Sequence, residues 1–273
     1  MPLLVWIIIC AAIGGIASAA FAVAFLWVPP ERTARILPHF LSFATGALLA
    51  AALLALLPEA VEGAGAEHAR AIGACVLGGL GFFFVIEKLV LAWHHEHPEG
   101  AHGHEHGHGH AHGHDHGGHT RARDRASGIL VLIGDSLHNA LDGVLIAAAF
   151  LSNVPLGLLT TVAVAAHEVP HRVGDFALLV HAGFSRERAL VLNLATGLAS
   201  VAGAVVAYFA LRATLELLPY ALAVAAAGFL YIAVAGLIPG LHRSADPRTS
   251  AAQVLWLALG VGLVGLAERL THS

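Results

Sequence analysis

The feature that most constrains this chain is a series of apolar runs, each long enough to cross the roughly 30 Å hydrocarbon core of a bilayer as a helix of about 20 residues. Only 12% of the 273 residues are charged and 58% are hydrophobic, whereas about 25% of a typical globular domain is charged. We therefore expect an all-α, polytopic membrane protein, with the lipid bilayer as a partner and no nucleic acid. Eight spans can be placed, at 3–28, 36–57, 69–93, 127–151, 155–181, 188–211, 219–241 and 250–270.

The arginines of the loops predict how these spans are oriented. With the N-terminus outside, the odd-numbered loops hold nine arginines, whereas the even-numbered loops hold only Arg70 and Arg212. Cytoplasmic loops carry such an excess of positive charge, so both termini are predicted to face out. The small size and the lack of a separate extracellular domain favour a bacterial inner membrane as the location. The nine arginines are Arg32, Arg35, Arg121, Arg123, Arg125, Arg186, Arg188, Arg243 and Arg248.

Spans two and seven share a glycine-to-proline spacing that suggests an internal repeat. Gly46 precedes Pro58 by twelve residues, and Gly228 precedes Pro239 by eleven. Many transporters contain inverted repeats, and this spacing would relate spans one to three with spans six to eight around a central pair. The fold prediction is therefore eight transmembrane helices in a 3+2+3 inverted-repeat arrangement, forming one domain over 1–273.

The loop after span three is dominated by histidine. Twelve of the twenty histidines lie between His94 and His119, many of them alternating with glycine. Glycine leaves the backbone unfixed, and imidazoles at this density can bind zinc, copper or nickel in many equivalent arrangements. We predict a disordered cytoplasmic loop at 94–125 that chelates metal, the alternative being a solvated spacer.

Spans four and five each carry polar side chains at helical spacing. Residues three and four apart share one face of a helix. The stripe on span four consists of Asp135, His138, Asn139 and Asp142, and that on span five of His167, His171 and Asp175. A tight turn predicted at 152–155 lets the two stripes face each other. Ionisable side chains at such depth are costly unless they are paired or coordinated, and they mark an ion or substrate path.

Imidazoles and carboxylates of this kind suit zinc, iron(II), manganese, cobalt or cadmium, and no thiolate is present to select copper(I). Divalent metal ions are thus the expected partners, carried as substrate and without an organic cofactor. The predicted ligands are His138, Asp142, His167 and His171, with Asn139 and Glu168 beside them for a second or transient ion.

The pattern His138-Asn139-x-x-Asp142 followed by His167-Glu168-x-Pro170-His171-x-x-Gly174-Asp175 resembles the paired signature of the ZIP (Zrt-/Irt-like) divalent-metal transporters. Within that family it is most similar to the branch with a histidine-rich loop between spans three and four. The resemblance implies uptake of zinc or a similar ion into the cytoplasm, through a site between spans four and five. It also implies alternating access by sliding one helix bundle past another. Oligomeric state is not readable from the sequence, which leaves a homodimer open.

Carried over by position, the family's main-site ligands match His138, Asp142, His167 and His171, and its neighbouring-site positions match Asn139 and Glu168. One departure is Arg172, because the family branch usually has glutamate after the last of these histidines. An arginine buried in a membrane needs a carboxylate. We expect Arg172 to pair with Asp135, or within its own helix with Glu168 or Asp175, and to disfavour a second cation nearby.

Two other functions fit parts of the pattern. A metal exporter with a histidine-rich loop would carry the same ligands, because the sequence does not set the direction of transport. An intramembrane zinc protease could use His167-Glu168-x-x-His171 as two ligands and a general base. Pro170 inside that pattern is unusual for a protease, and Leu141-Asp142-Gly143 precedes the motif instead of following it. The sequence therefore favours a transporter over an enzyme.

Overall fold

The computed structural model describes residues 3–20, 29–95, 117–241 and 247–272, and every regular element in these ranges is helical. This agrees with the predicted all-α class. The α-helices are α1 (Leu3–Ala12), α2 (Pro30–Ala50), α3 (Leu57–Ala64), α4 (Ala69–His95), α5 (Gly117–Ser152), α6 (Val154–His181), α7 (Arg186–Ala213), α8 (Leu218–Tyr231), α9 (Ile238–Leu241) and α10 (Pro247–His272). Short π-helical segments follow α1, α2 and α8, at Ile13–Ala17, Ala51–Leu56 and Ile232–Leu237.

Six helical stretches within the described ranges are long and apolar enough to cross a membrane, whereas the sequence predicts eight spans. They are Leu3–Ala20, Arg35–Ala64, Ala66–Leu89, Arg186–Ala213, Leu215–Leu237 and Thr249–Leu270. The other two predicted spans correspond to α5 and α6, which contain charged and histidine residues within their apolar runs. The protein is thus a multi-pass membrane protein in which α5 and α6 are the polar helices.

The polarity of the described residues is that of a membrane protein, apolar outside and charged inside. Large apolar side chains such as Leu77 and Val206 are 73% and 67% exposed. The side chains of Arg172 and Glu168 are completely buried. Intramembrane charged residues almost always face a bundle interior, where they pair with one another. The inner face of α6 is therefore the natural place to look for function.

Glycines let α5 and α7 approach so closely that their backbones touch. A methyl group added at Gly143 of α5 would lie 1.9 Å from the carbonyl oxygen of Ser200, and one at Gly203 of α7 would lie 2.0 Å from that of Ala140. Small residues at such crossings allow dispersion contacts between backbones, which drive helix association in lipid. This packing places α7 directly behind the polar face of α5.

The two helices paired by the glycine-to-proline spacing share a backbone irregularity. A six-residue π-helical segment ends just before Leu57-Pro58, and another ends just before Ile238-Pro239. Proline lacks the N–H of a regular helical turn, and in membrane helices a local π-helical adjustment can re-satisfy the backbone groups that a proline frees. The similarity at these two places therefore extends from sequence to conformation.

The histidine-rich loop predicted at 94–125 falls mostly on residues 96–116, which lie outside the described residues. Its two ends are helical, because α4 reaches His95 and α5 begins at Gly117. Residues 21–28, the end of the first predicted span, also lie outside the described ranges.

Candidate metal centre

The polar stripes meet because α5 and α6 form a helical hairpin with its turn at Asn153. This is where the sequence predicts a turn. The Asn153 Oδ1 atom accepts a hydrogen bond of 2.8 Å from the Leu156 amide and so caps α6. Pro155 suits the first helical turn, which needs no amide donor there. Glu59 of α3 accepts hydrogen bonds from Ser152 and Asn153, which ties the turn to a neighbouring helix.

Four donors from this hairpin converge, and we call them the first cluster: His138, Asp142, His167 and Glu168. The two histidine Nε2 atoms lie 3.3 Å apart. Asp142 Oδ2 lies 3.3 Å from the Nε2 of His167 and 3.8 Å from that of His138. Glu168 Oε1 lies 3.4 Å from the Nε2 of His138 and 3.9 Å from that of His167. Donors around a tetrahedral zinc ion stand about 3.3 Å apart at ordinary bond lengths, so this spacing suits one such ion.

Two oxygens of the first cluster are buried and lack a hydrogen-bond partner among the described residues. They are Asp142 Oδ2 and Glu168 Oε1, the same atoms that face the two imidazoles. His167 contacts the Ala163 carbonyl through Nδ1 at 3.1 Å. A carbonyl can only accept, so Nδ1 donates, and in a neutral ring Nε2 then carries a lone pair that can bind a cation. The two unpartnered oxygens and this nitrogen lie close together, an arrangement that can hold a metal ion.

A second cluster lies beside the first and consists of Asp135, His171 and Asp175. His171 Nδ1 donates to Asp175 Oδ2 at 2.8 Å and lies 3.8 Å from Asp135 Oδ1. The rings of His138 and His171 stack with their centroids 5.3 Å apart, so the two clusters are in contact. The side chain of His171 is 46% exposed, whereas that of Asp135 is 2% exposed. The second cluster therefore has an accessible histidine.

Arg172 joins the two clusters. Its Nη1 donates to Asp135 Oδ2 at 2.8 Å, and its Nε donates to Glu168 Oε2 at 2.9 Å. Its Nη2 donates to Asn139 Oδ1. The expected pairing with Asp135 is confirmed, and that with Glu168 forms at the same time. A buried guanidinium needs such partners because of its high desolvation cost.

Helix α7 completes the surroundings of Arg172. The Nη1 atom also lies 2.9 Å from the Asn193 carbonyl oxygen, 3.1 Å from Asn193 Oδ1 and close to the Thr196 hydroxyl. Its two hydrogens are therefore shared among these acceptors and Asp135. Asn193 Nδ2 in turn donates to the Arg172 carbonyl at 3.0 Å. The sequence offers Asn193 as a polar residue that can face the centre, whereas Thr196 has no signal of its own except its position one turn later.

The six predicted ligands are distributed over two environments. His138, Asp142, His167 and Glu168 form the first cluster. His171 belongs instead to the second cluster, although its ring lies against His138. Asn139 donates to Asp135 and accepts from Arg172. Relative to the main site predicted from the sequence, Glu168 stands where His171 was expected.

Comparison with known proteins finds zinc transporters, both by family model and by individual relatives. A family model described as ZIP Zinc transporter matches residues 3–268. The protein named Zinc transporter SLC39A7 from Mus musculus is 34% identical over an alignment of length 333, gaps included, that covers 93% of this chain and 68% of that protein. Zinc transporter ZIP13 from Homo sapiens is 34% identical over 257 residues, covering 82% of this chain and 69% of that protein.

Proposed function

Because the chain belongs to the ZIP zinc transporter family, and is therefore a metal transporter and not an enzyme, we propose that it carries zinc or a similar divalent ion into the cytoplasm through the first cluster. The membership of the family removes the intramembrane protease as an alternative. What we propose beyond family membership is the direction of transport, the path of the ion and the residues that bind it.

The observation that carries it is the pair of unpartnered oxygens, Asp142 Oδ2 and Glu168 Oε1, each held within 3.9 Å of two imidazole nitrogens. A buried acceptor without a partner costs about 1–3 kcal/mol. Two such atoms aimed at one point are explained if a cation supplies the missing interaction. The donor set of two imidazoles and two carboxylates suits zinc and its neighbours.

His171 and Asn139 have secondary parts in this proposal. His171 lies against His138 and has the more accessible ring, so it would take the ion from the first cluster toward the cytoplasm, with Asp175 next along α6. Asn139 would act through its hydrogen bonds to Asp135 and Arg172. In this proposal, His171 and Asn139 act next to the ion site, whereas the four residues of the first cluster bind the ion directly.

We further propose that α5 and α6 are the fourth and fifth of eight spans in a 3+2+3 arrangement. Both termini would then face outside. With 36 and 28 residues, these helices exceed the about 20 residues that a span needs. The side chains of Asp135, Asp142, Glu168, Arg172 and Asp175 are buried in the bundle, where a membrane protein tolerates charge. The matched π-helical segments before Pro58 and Pro239 support the repeat.

The decisive experiment is zinc flux in proteoliposomes, with the orientation of the protein determined by protease protection. We expect zinc to move toward the side bearing Arg186 and Arg188, and Asp142→Asn to abolish that movement. Glu216→Gln is the matched control, because Glu216 is an exposed acid in the turn between α7 and α8. Flux in the opposite direction under every gradient would favour the exporter. No flux in the wild-type protein would overturn the transport proposal.

The histidine-rich loop is a separate prediction of metal binding. Residues 94–119 contain twelve histidines, so we expect a peptide of this segment to bind several zinc ions weakly and exchangeably. Isothermal titration calorimetry at neutral pH measures this directly, with a peptide in which serine replaces histidine as the control. A histidine peptide that releases no more heat than its control would make the loop a spacer.

A further inference from the structure

The side chain of Arg172 is the largest of the fully buried side chains among the described residues, and it lies at the side of the first cluster. Its three nitrogens donate to acceptors on three helices: Asp135 and Asn139 on α5, Glu168 on α6, and Asn193 and Thr196 on α7. A guanidinium is always charged and offers five donors in a planar fork. The protein therefore keeps one permanent cation in its polar core.

The acceptors that Arg172 uses include those that the sequence offers to a second metal ion. Asn139 and Glu168 are the two predicted ligands next to the main site. In the structure the oxygen of Asn139 accepts from Nη2, and the Oε2 oxygen of Glu168 accepts from Nε. Both groups are thus already bound to a positive charge.

The two carboxylate oxygens of Glu168 face different partners. Its Oε1 atom lies 3.4 Å from His138 Nε2 in the first cluster, while its Oε2 atom lies 2.9 Å from Arg172 Nε. In two-metal sites the ions stand about 3.5–4 Å apart, a distance that one carboxylate can bridge. Here the carboxylate bridges the first cluster and a guanidinium.

The formal charges of the two clusters and Arg172 also favour a single divalent ion. With neutral histidines, the four carboxylates Asp135, Asp142, Glu168 and Asp175 together with Arg172 have a formal net charge of three negatives. One divalent ion would leave the centre at one negative charge, whereas two would make it positive. A second dication would lie next to the guanidinium, and repulsion between like charges is strong in a medium of low dielectric constant.

We propose that Arg172 is a tethered cation that occupies the position of a second metal ion and restricts the centre to one divalent ion at a time. This inference rests on the proposed function of the first cluster as the ion site. It assigns Arg172 a role in setting ion number, whereas a purely structural arginine would affect only stability.

The test is anomalous diffraction from crystals of the full chain grown with cadmium, because the position of each ion separates the centre from the histidine-rich loop. We expect one peak in the first cluster of the wild type. Arg172→Glu should show two peaks about 4 Å apart, the second between Asn139 and Glu168. Arg172→Gln tests the loss of charge with a neutral side chain, should the carboxylate variant fail to fold, and is also expected to admit the second ion.

Arg186→Glu, at an exposed position of α7, controls for the change in net charge and should keep one peak. Two ions in the wild type with Arg172 in place would overturn the inference. One ion in both Arg172 variants would also overturn it and leave the proposed transport site intact. No ion in the centre of any variant would overturn the first cluster as an ion site, and this inference with it.

Discussion

The two clusters on α5 and α6 contain the same kinds of side chain but differ in which oxygens are already engaged. In the first cluster, one oxygen each of Asp142 and Glu168 lacks a partner among the described residues. In the second, Asp175 accepts from His171, and Asp135 accepts from Asn139 and Arg172. Residue type alone therefore does not identify an ion site. The difference lies in unsatisfied buried acceptors, which a fold tolerates at a cost when a ligand satisfies them.

The clusters also differ in access. The side chains of Asp142 and His167 are 2% and 1% exposed, whereas that of His171 is 46% exposed. The rings of His138 and His171 stack at 5.3 Å. Under the proposed function, an ion held by the first cluster would pass to the second by exchanging one imidazole for another.

Removing the cation that joins the clusters should have the largest effect. Arg172→Met leaves Glu168 and Asp135 buried without their charge partner, and breaking such a pair costs about 3–5 kcal/mol. We expect a loss of that size in the free energy of unfolding, measured by denaturant titration in micelles. Arg186→Met, at an exposed site, should stay within about 0.5 kcal/mol. Equal stability of the two variants would mean that Arg172 is not needed to hold the clusters together.

The comparison predicts that Asp142 matters more for flux than Asp175. Outer-shell partners of a metal are typically worth about 10–100-fold, so loss of a direct ligand in Asp142→Asn should lower zinc flux by more than about 100-fold. Initial rates in proteoliposomes, normalised to the amount of folded protein, provide the measurement. Retention of half the wild-type rate would remove Asp142 from the ion site.

Asp175→Asn should have a smaller effect on the same assay. Asp175 holds the His171 ring at 2.8 Å but contributes no atom to the first cluster. We expect a decrease of about 10-fold, in the range of an outer-shell partner. A loss as large as that of Asp142→Asn would show that the second cluster is an obligatory binding site, and the contrast between the clusters would disappear.

The smallest effect is expected for Asn193→Ala, which removes side-chain contacts to Arg172 from α7. Hydrogen bonds between membrane helices average about 0.6 kcal/mol each, so loss of these two should lower the stability by about 1 kcal/mol. The carbonyl of residue 193 still accepts from Arg172 in the variant. A loss of several kcal/mol would show that α7 supports both clusters to a greater extent than these contacts indicate.

The helical spacing of His138 with Asp142, and of His167 with His171, predicted two facing stripes joined by a turn, and the structure brings the two stripes together. Sequence reasoning grouped His171 with His138, Asp142 and His167. The structure groups Glu168 with these three residues, and His171 with Asp135 and Asp175. Face periodicity describes one helix at a time. It does not give the rotation of α6 relative to α5, which decides that Glu168 lies in the first cluster. It also does not predict the hydrogen bond between His171 and Asp175 in the second cluster.

The linear order of residues determined that this protein is a helical membrane protein with two polar stripes on neighbouring helices, because hydropathy and the 3.6-residue period are local properties. It also determined that Arg172 needs a carboxylate, since the cost of burying a charge does not depend on the partner chosen. Only the tertiary structure decided which carboxylate oxygens are bound by Arg172 and which lack a partner among the described residues. That division depends on distances between α5, α6 and α7, and α5 and α7 pack closely against each other at Gly143 and Gly203.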